Sequence, residues 1–269
     1  MITKRCFTVL GAHGWIGSAL VSHLLRLGES VTAIGRQSLP DWLEAGDSQG
    51  FVIFAIGLTA DFRRRPYATA EAHVTILSKV LQKPGIKNLL YLSSTRVYHR
   101  SANTNETVPL PCLSSDPSDL YNLSKLFGES LVLQKPEAGM KVVRISNVIG
   151  PSQPASTFIG ALLSEAKSNG SVTIHQSPIT TKDYIALSDL ANLLPKIAMS
   201  GRERLYNVGT GVNTSHSQIA NWLEQQGISA RFSTRLESGP SFPLLDISKL
   251  LIEFDRPNDP FNQILFHLY

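Results

Sequence analysis

The chain lacks the features that mark membrane, secreted and metal-binding proteins. Its 269 residues contain 2 cysteines, Cys6 and Cys112, and neither belongs to a metal-ligand spacing pattern. No apolar run approaches the ~18 to 20 residues that cross a bilayer, and no small-residue cleavage site follows the short apolar run near the start. We therefore expect a cytoplasmic protein with reduced thiols, no metal site and no membrane partner.

The charged residues give no sign of a nucleic-acid surface. The net charge is +4, and the basic residues are scattered apart from the triplet Arg63-Arg64-Arg65. One such triplet is more typical of a solvated stretch than of a nucleic-acid patch, so no nucleic-acid partner is expected. A mild positive balance also suits ligands that carry phosphate groups.

A glycine-rich turn follows the first apolar run, at residues 7–10. Its sequence is GAHGWIG, and a helical pattern continues over residues 18–27. A strand, a glycine turn and a helix in this order are typical of a dinucleotide-binding site, where the helix N-terminus faces the pyrophosphate. The residues of this turn that we expect to contact a cofactor are Gly11, Gly14, Trp15, Ile16 and Gly17.

The second and third strands, at residues 30–34 and 51–56, carry the remaining cofactor candidates. The second strand ends in Gly35-Arg36, where an acidic residue would mark NAD. Because Arg36 offers a guanidinium where the 2′-phosphate of NADP would lie, NADP(H) is favoured over NAD(H), although stacking of Arg36 on adenine would leave the choice open. Ala55 and Gly57 lie at the end of the third strand and are expected to approach the cofactor.

Three polar side chains form the candidate catalytic site. Ser94 lies just past a short apolar strand at 88–92, where open α/β sheets bind their ligands. Tyr121 and Lys125 are four residues apart on a helix predicted over 120–134, so they share one face. An ammonium beside a phenol lowers the phenol's pKa from its usual ~10, and this favours proton transfer at neutral pH.

The order of elements predicts an α/β fold, a doubly wound parallel sheet of the Rossmann type with a small C-terminal lobe. Strands and helices alternate along a chain that is 42% hydrophobic and 17% charged, which suits one globular core covered on both faces. The segment between residues 36 and 51 is short, so one crossover is expected to be trimmed. We expect a dinucleotide-binding core at 1–150 with later returns near 183–226, and a substrate-binding lobe within 151–269, mostly 151–182 and 227–269.

Seven ordered segments resemble the extended short-chain dehydrogenase/reductases, and specifically the NAD(P)-dependent epimerase/dehydratase group. They are GAHGWIG, SSTRVY, YNLSK, VVRISNVIGP, KDYIALSDLA, YNVGTG and DISKL. The resemblance implies that Ser94, Tyr121 and Lys125 are catalytic and that Lys125 holds the nicotinamide ribose. It also implies a nucleoside-diphosphate sugar substrate and a possible homodimer. The expected substrate contacts are Thr95, Arg96, Asn147, Lys182 and Arg235.

The chain departs from this family at several positions. Thr95 and Arg96 replace the acidic pair that dehydratases carry after the serine, so dehydration is not expected. His99 stands where glycine is usual, and His73 stands where asparagine is usual in the helix predicted over 68–82. Lys182 replaces the family's usual arginine.

These observations favour reduction of a keto-sugar nucleotide by hydride transfer, with Tyr121 as the acid or base. A nucleotide-sugar epimerase that oxidises its substrate transiently is the first alternative. A ketoreductase acting on another small carbonyl compound and a non-catalytic cofactor-sensing protein are the others.

Overall fold

The computed structural model describes residues 4–46, 50–58, 61–237 and 242–263. Within these residues the strands are β1 (Cys6–Leu10), β2 (Ser30–Ile34), β3 (Phe51–Phe54), β4 (Leu89–Ser94), β5 (Met140–Ile145), β6 (Asn147–Ile149), β7 (Ser171–Gln176), β8 (Thr181–Ala186), β9 (Leu205–Val208), β10 (Asn213–Ser215) and β11 (Ser229–Glu237).

The helices alternate with these strands. They are α1 (Trp15–Arg26), α2 (Leu39–Glu44), α3 (Pro66–Ala70), α4 (Ile76–Gln82), α5 (Asp119–Leu133), α6 (Phe158–Asn169), α7 (Leu187–Ser200), α8 (His216–Gln225), α9 (Ser248–Glu253) and α10 (Pro260–Gln263). A π-helical turn at Glu71–Thr75 joins α3 to α4, and a 3₁₀ turn at Thr95–Tyr98 follows β4. Among the described helices, none is long and apolar enough to cross a membrane.

Six strands form one parallel sheet in the order β2-β1-β3-β4-β5-β9. Strands β1, β3, β4, β5 and β9 are almost entirely buried, as in a parallel sheet covered on both faces, whereas the edge strand β2 is mostly exposed. Side chains of β1 alternate between the two faces: Phe7 and Val9 pack in the cluster with α1 and α7, and Leu10 packs in the cluster with α4. The order reverses between β1 and β3, which opens a crevice at the carboxyl ends of the strands. The predicted doubly wound Rossmann fold is confirmed.

A second core lies beside the main sheet, and we use this name for the buried cluster on α6, β7, β8, α8 and α10. It includes Leu162, Ile174, Tyr184, Trp222 and Phe261. Two small sheets frame it, one with the order β10-β8-β6 and one that pairs β11 with β7. Trp222 fixes α10 there, because its ring meets Phe261 edge-on at 5.4 Å and its Nε1–H donates to the Phe261 carbonyl at 3.0 Å.

Several element boundaries differ from the sequence-based expectation. The predicted helix over 68–82 is interrupted by the π-helical turn, and the trimmed crossover contains the short helix α2. Ser188 and Asp189, residue types that often cap helices, lie inside α7, which begins at Leu187 with Ala186 as its N-cap. The short strands β6 and β8 pair in parallel outside the main sheet.

Candidate active site

A cavity of about 510 Å³ opens at the carboxyl ends of the central strands. The glycine turn before α1, the ends of β3 and β4, the start of α5 and the β6–β8 region line it. Thirteen predicted site residues lie on its wall: Gly14, Trp15, Ile16, Gly17, Ala55, Gly57, Ser94, Thr95, Arg96, Tyr121, Lys125, Asn147 and Lys182. The other three, Gly11, Arg36 and Arg235, do not line it.

The glycine turn has the shape of a dinucleotide cradle. Gly11 adopts φ +85°, and a Cβ there would lie 2.8 Å from the Ala55 carbonyl oxygen. A Cβ on Gly17 would lie 2.1 Å from the Gly11 oxygen, so both positions require glycine. Gly14 is the N-cap of α1 and has no side chain to bond the first amides of the helix. Those amides are therefore free to bind a phosphate, and the residues present fit the pyrophosphate of NAD(P).

The end of β2 is shaped by His13, a residue of the glycine turn. A Cβ on Gly35 would lie 2.3 Å from Cδ2 of His13, so the imidazole fills the space of a side chain at position 35. An acidic residue would not fit there unless His13 moved. Arg36 follows with an exposed side chain. The one sequence signal for His13 is its place between Gly11 and Gly14 in the turn.

Ser94, Tyr121 and Lys125 converge at one end of the cavity. Ser94 ends β4, and its Oγ accepts a hydrogen bond from the Arg96 amide at 3.2 Å. Tyr121 is 5% exposed, and its phenol lies close enough to Ser94 for that side chain to lower the pKa of the phenol. The Lys125 ammonium donates to the Leu92 carbonyl at 2.9 Å and lies 5.9 Å from the Tyr121 ring centroid. A phenol, a hydroxyl and an amine held together in this way can pass a proton to and from a substrate oxygen.

The electrostatics of this group differ from the expected effect of Lys125 on Tyr121. Burial raises the pKa of Tyr121, and the groups that oppose this are the Ser94 hydrogen bond and the positive charge of Arg96. Burial also lowers the pKa of Lys125 to about 7, although the nearby Glu129 carboxylate raises it. An amine with a pKa of about 7 carries only part of a positive charge at neutral pH, so it stabilises a phenolate less than an ordinary lysine would.

His73 lies directly behind the catalytic group, in the π-helical turn. Its Nε2 accepts a hydrogen bond from the Leu58 amide at 3.1 Å, so its Nδ1 carries the hydrogen and donates to Ser124 Oγ at 2.8 Å. Ser124 in turn donates to the Tyr121 carbonyl at 2.8 Å. Burial, assisted by Lys125, lowers the pKa of His73 to about 2, so the imidazole is neutral. Its ring meets the Tyr121 ring edge-on at 5.3 Å.

A buried ionic network supports the site from below. Glu129 on α5 accepts from Ser93 Oγ at 2.5 Å and pairs with the Arg144 guanidinium at 2.7 Å. Arg144 also donates to the Tyr98 hydroxyl at 2.8 Å, and Tyr98 donates to Asn207 at 2.8 Å. The network joins α5, β4, β5, β9 and the 3₁₀ turn, so it fixes the height of the catalytic helix above the sheet.

The opposite wall of the cavity holds the predicted substrate contacts. Asn147 donates its side-chain amide to the Asp183 carbonyl at 2.9 Å, and the Lys182 ammonium lies 5.4 Å from the Phe158 ring centroid. Burial and the charge of Arg96 both lower the pKa of Lys182. Arg235 is exposed on β11, away from the cavity lining, and its role in substrate binding stays a prediction.

The cavity lacks a free carboxyl group for dehydration among the described residues. Asp183 is the one acidic residue of its lining, and its oxygens accept hydrogen bonds from the Thr210 and Val212 amides, both at 3.0 Å. Thr95 and Arg96 occupy the positions after Ser94 where an acid would protonate a leaving hydroxyl. Among the described lining residues, therefore, no carboxyl group without hydrogen-bond partners is available to protonate a leaving hydroxyl.

Comparisons with known proteins agree with this geometry. Residues 7–209 match the model of the NAD dependent epimerase/dehydratase family. The UDP-glucose 4-epimerase of Mycolicibacterium smegmatis is 25% identical over 252 residues, which cover 78% of this chain and 79% of that enzyme. Human dTDP-D-glucose 4,6-dehydratase is 25% identical over 154 residues, and this match spans only 43% of the human enzyme's length.

The fold is also that of a solved structure from tunicamycin biosynthesis. TunA, described as an NAD-dependent NDP-hexosamine 5,6-dehydratase, superposes with a TM-score of 0.82 over 98% of this chain and 97% of its own. At 17% identity this likeness establishes the arrangement of strands and helices alone.

Proposed function

The chain belongs to the NAD-dependent epimerase/dehydratase family, and from this premise we propose that it reduces a keto-sugar nucleotide by hydride transfer from NADPH. The observation that carries the proposal is the convergence of Ser94, Tyr121 and Lys125 in the cavity that opens above the glycine turn. When bound, the nicotinamide supplies the hydride. Everything else in the reaction is positioning and proton transfer by the chain's own residues.

Tyr121 is the proposed proton donor to the sugar oxygen. Its pKa is raised by burial, so the phenol is protonated at neutral pH, which is the form that reduction of a carbonyl requires. Ser94 holds the same oxygen by hydrogen bonding, and Lys125 holds the nicotinamide ribose. Because the positive charge of Arg96 opposes the effect of burial, it stabilises the phenolate and so assists transfer of the proton from Tyr121 to the sugar oxygen.

The preference for NADP(H) is supported by the end of β2. His13 fills the space over Gly35, and Arg36 presents an exposed guanidinium one residue further on. The His13 imidazole thereby takes the space in which a carboxylate would bind the adenosine ribose, and the Arg36 guanidinium can attract a 2′-phosphate.

Epimerisation is a second candidate, and a specific observation favours it. The match to the mycobacterial UDP-glucose 4-epimerase covers 78% of this chain, whereas the match to the human dehydratase covers 56%. An epimerase keeps its nicotinamide through the cycle, and a reductase exchanges it. Absorbance and mass of the protein as purified separate the two, since retained dinucleotide favours the epimerase and an empty site with a sharp NADPH preference favours the reductase.

The proposed substrate lies between the catalytic group and the second core. Asn147 and Lys182 are the proposed contacts of its diphosphate, and both line the cavity. The second core supports a separate substrate-binding lobe beside the dinucleotide-binding part at 1–150, but Tyr184 and Trp222 of this core fall within the predicted returns near 183–226. The exposed Leu123 and Phe127 on α5 support the proposed homodimer, because a second copy would bury them.

Replacement of Tyr121 by Phe tests the proposal. We expect turnover on UDP- and dTDP-linked sugars and keto-sugars to fall by about 100-fold or more, since general acid–base groups contribute roughly 10² to 10⁴. Binding of NADPH, measured by fluorescence titration, should stay unchanged. Tyr67→Phe is the matched control, because that phenol is 89% exposed and lies outside the cavity lining. Full turnover by the Tyr121 variant would contradict the proposed proton transfer.

A further inference from the structure

Two arginines meet at the end of the cavity that holds Tyr121. The Arg63 and Arg96 guanidinium carbons lie 4.5 and 5.4 Å from the ring centroid of Phe62, which itself lies 5.4 Å from the Tyr121 ring. Arg63 donates to Ser118 Oγ at 3.0 Å, and Arg96 donates to the Ser118 carbonyl at 3.3 Å. Both cations are therefore fixed beside the catalytic phenol, and Arg96 lines the cavity.

Arg96 has no anionic partner among the residues that the structure describes. Its Nε is buried without a hydrogen bond, and its one side-chain bond goes to a neutral carbonyl. The two nearby carboxylates, Asp116 and Asp119, are both held by Arg100. Burial and the charge of Arg63 lower the pKa of Arg96, and Tyr121 and the two aspartates only partly oppose this. An anionic group on a ligand would stabilise the charged form of a guanidinium that is partly buried without an anionic partner.

We propose that the sugar of the substrate carries a carboxylate, as in a uronic acid, and that Arg96 binds this group. The inference rests on the proposed function and names the substrate class of the same site. Arg96 follows Ser94 by two residues, and the Ser94 Oγ accepts the Arg96 amide, so the side chain starts beside the reacting sugar oxygen. A substituent on a ring carbon next to the reacting carbon lies within its reach. The diphosphate belongs to the opposite wall, at Asn147 and Lys182.

The experiment compares two pairs of ligands that differ only at C6 of the sugar. The purified enzyme, saturated with dinucleotide, is titrated with UDP-glucose and UDP-glucuronic acid, and then with the dTDP-linked forms of the same two sugars. We expect the acid of a pair to bind at least about tenfold more tightly, as a charge-assisted hydrogen bond provides. Arg96→Gln should reduce the ratio to about one while binding of the neutral sugar is retained, and Arg96→Lys should restore part of it.

Arg64→Gln is the matched control, because it removes the same charge from an exposed position outside the cavity lining. It should leave the acid-to-neutral ratio unchanged. The inference is overturned, while the proposed function stands, if wild-type enzyme binds both members of a pair equally or prefers the neutral one. It is also overturned if Arg96→Gln weakens both members by the same factor, which would assign Arg96 to the diphosphate. Failure of all four compounds to bind would overturn the proposed function and the inference together.

Discussion

At the scale of single residues, Lys125 is the group whose charge depends most on its surroundings. The residue is 4% exposed, and its amine donates a hydrogen bond to the Leu92 carbonyl rather than to a carboxylate. Burial lowers its pKa to about 7, far below the value near 10.4 of a free lysine. Protonation of Lys125 in the unliganded folded protein therefore lowers the free energy of unfolding, and the size of this effect depends on pH.

We predict that Lys125 makes the unliganded protein more stable as pH rises from about 7 toward 10. In this window the unfolded chain keeps a proton on Lys125 that the folded chain has released, so the free energy of unfolding increases with pH. Below about pH 7 both states are protonated and the contribution is constant. Urea unfolding of wild type and Lys125→Met at pH 7, 8 and 9 measures the difference in slope.

Lys79→Met serves as the control for this measurement, because Lys79 is exposed on α4. Its slope should match that of the wild type. An identical pH dependence in wild type and Lys125→Met would show that the amine keeps its charge in the folded protein, contrary to the prediction.

At the scale of elements, the π-helical turn between α3 and α4 connects the cofactor side of the cavity to the catalytic helix. It carries His73, whose two ring nitrogens bond the Leu58 amide after β3 and the Ser124 hydroxyl on α5. A π-helical turn costs regular hydrogen bonding and is often retained at functional sites. Here it sets the imidazole edge-on against Tyr121, so His73 is a positioning residue for the phenol.

We predict that His73→Leu lowers the free energy of unfolding by about 1 to 3 kcal/mol, because it leaves the Leu58 amide and the Ser124 hydroxyl without their partner. The same variant should lower kcat more than it raises the KM for the substrate. His73→Asn, which offers both an acceptor and a donor, should recover part of both losses. His175→Leu is the control, as that side chain is exposed on β7. Loss of stability with unchanged kcat would reduce His73 to a structural role.

The sequence predicted the elements with a strong local signal and missed those that depend on the tertiary environment. The glycine turn could be predicted from the spacing of its glycines and from backbone requirements such as that of Gly11. The apolar strands could be predicted from their runs of apolar residues, and the order of strands and helices was enough to predict a parallel sheet. The π-helical turn and β6 depend on packing, so periodicity does not reveal them. The spacing of Tyr121 and Lys125 correctly placed both on one helix face. It could not show that burial lowers the pKa of the amine to about 7, because burial is a property of the folded chain.

At the scale of the whole molecule, the main sheet and the second core are joined across the cavity by Trp15. This residue belongs to the glycine turn, and its Nε1–H donates to the Pro151 carbonyl at 2.8 Å, in the loop between β6 and α6. The bond ties the cofactor cradle to the segment that enters the second core. Tryptophan at this position therefore joins two parts of the molecule as well as lining the cavity.

We predict that Trp15→Phe loosens the second core relative to the main sheet. Phenylalanine keeps an aromatic ring but cannot donate to Pro151, and one lost hydrogen bond of this kind costs about 0.5 to 1.5 kcal/mol. The chain has 3 tryptophans, so in a Trp15→Phe/Trp42→Phe background Trp222 is the one indole and reports the second core. Its fluorescence should change at a lower urea concentration than the far-UV circular dichroism of the whole molecule.

Trp42→Phe alone is the control, because Trp42 lies on α2 and its indole makes no hydrogen bond within the described residues. Coincident transitions in the double variant, at the midpoint of the control, would show that the Trp15–Pro151 bond does not couple the two parts.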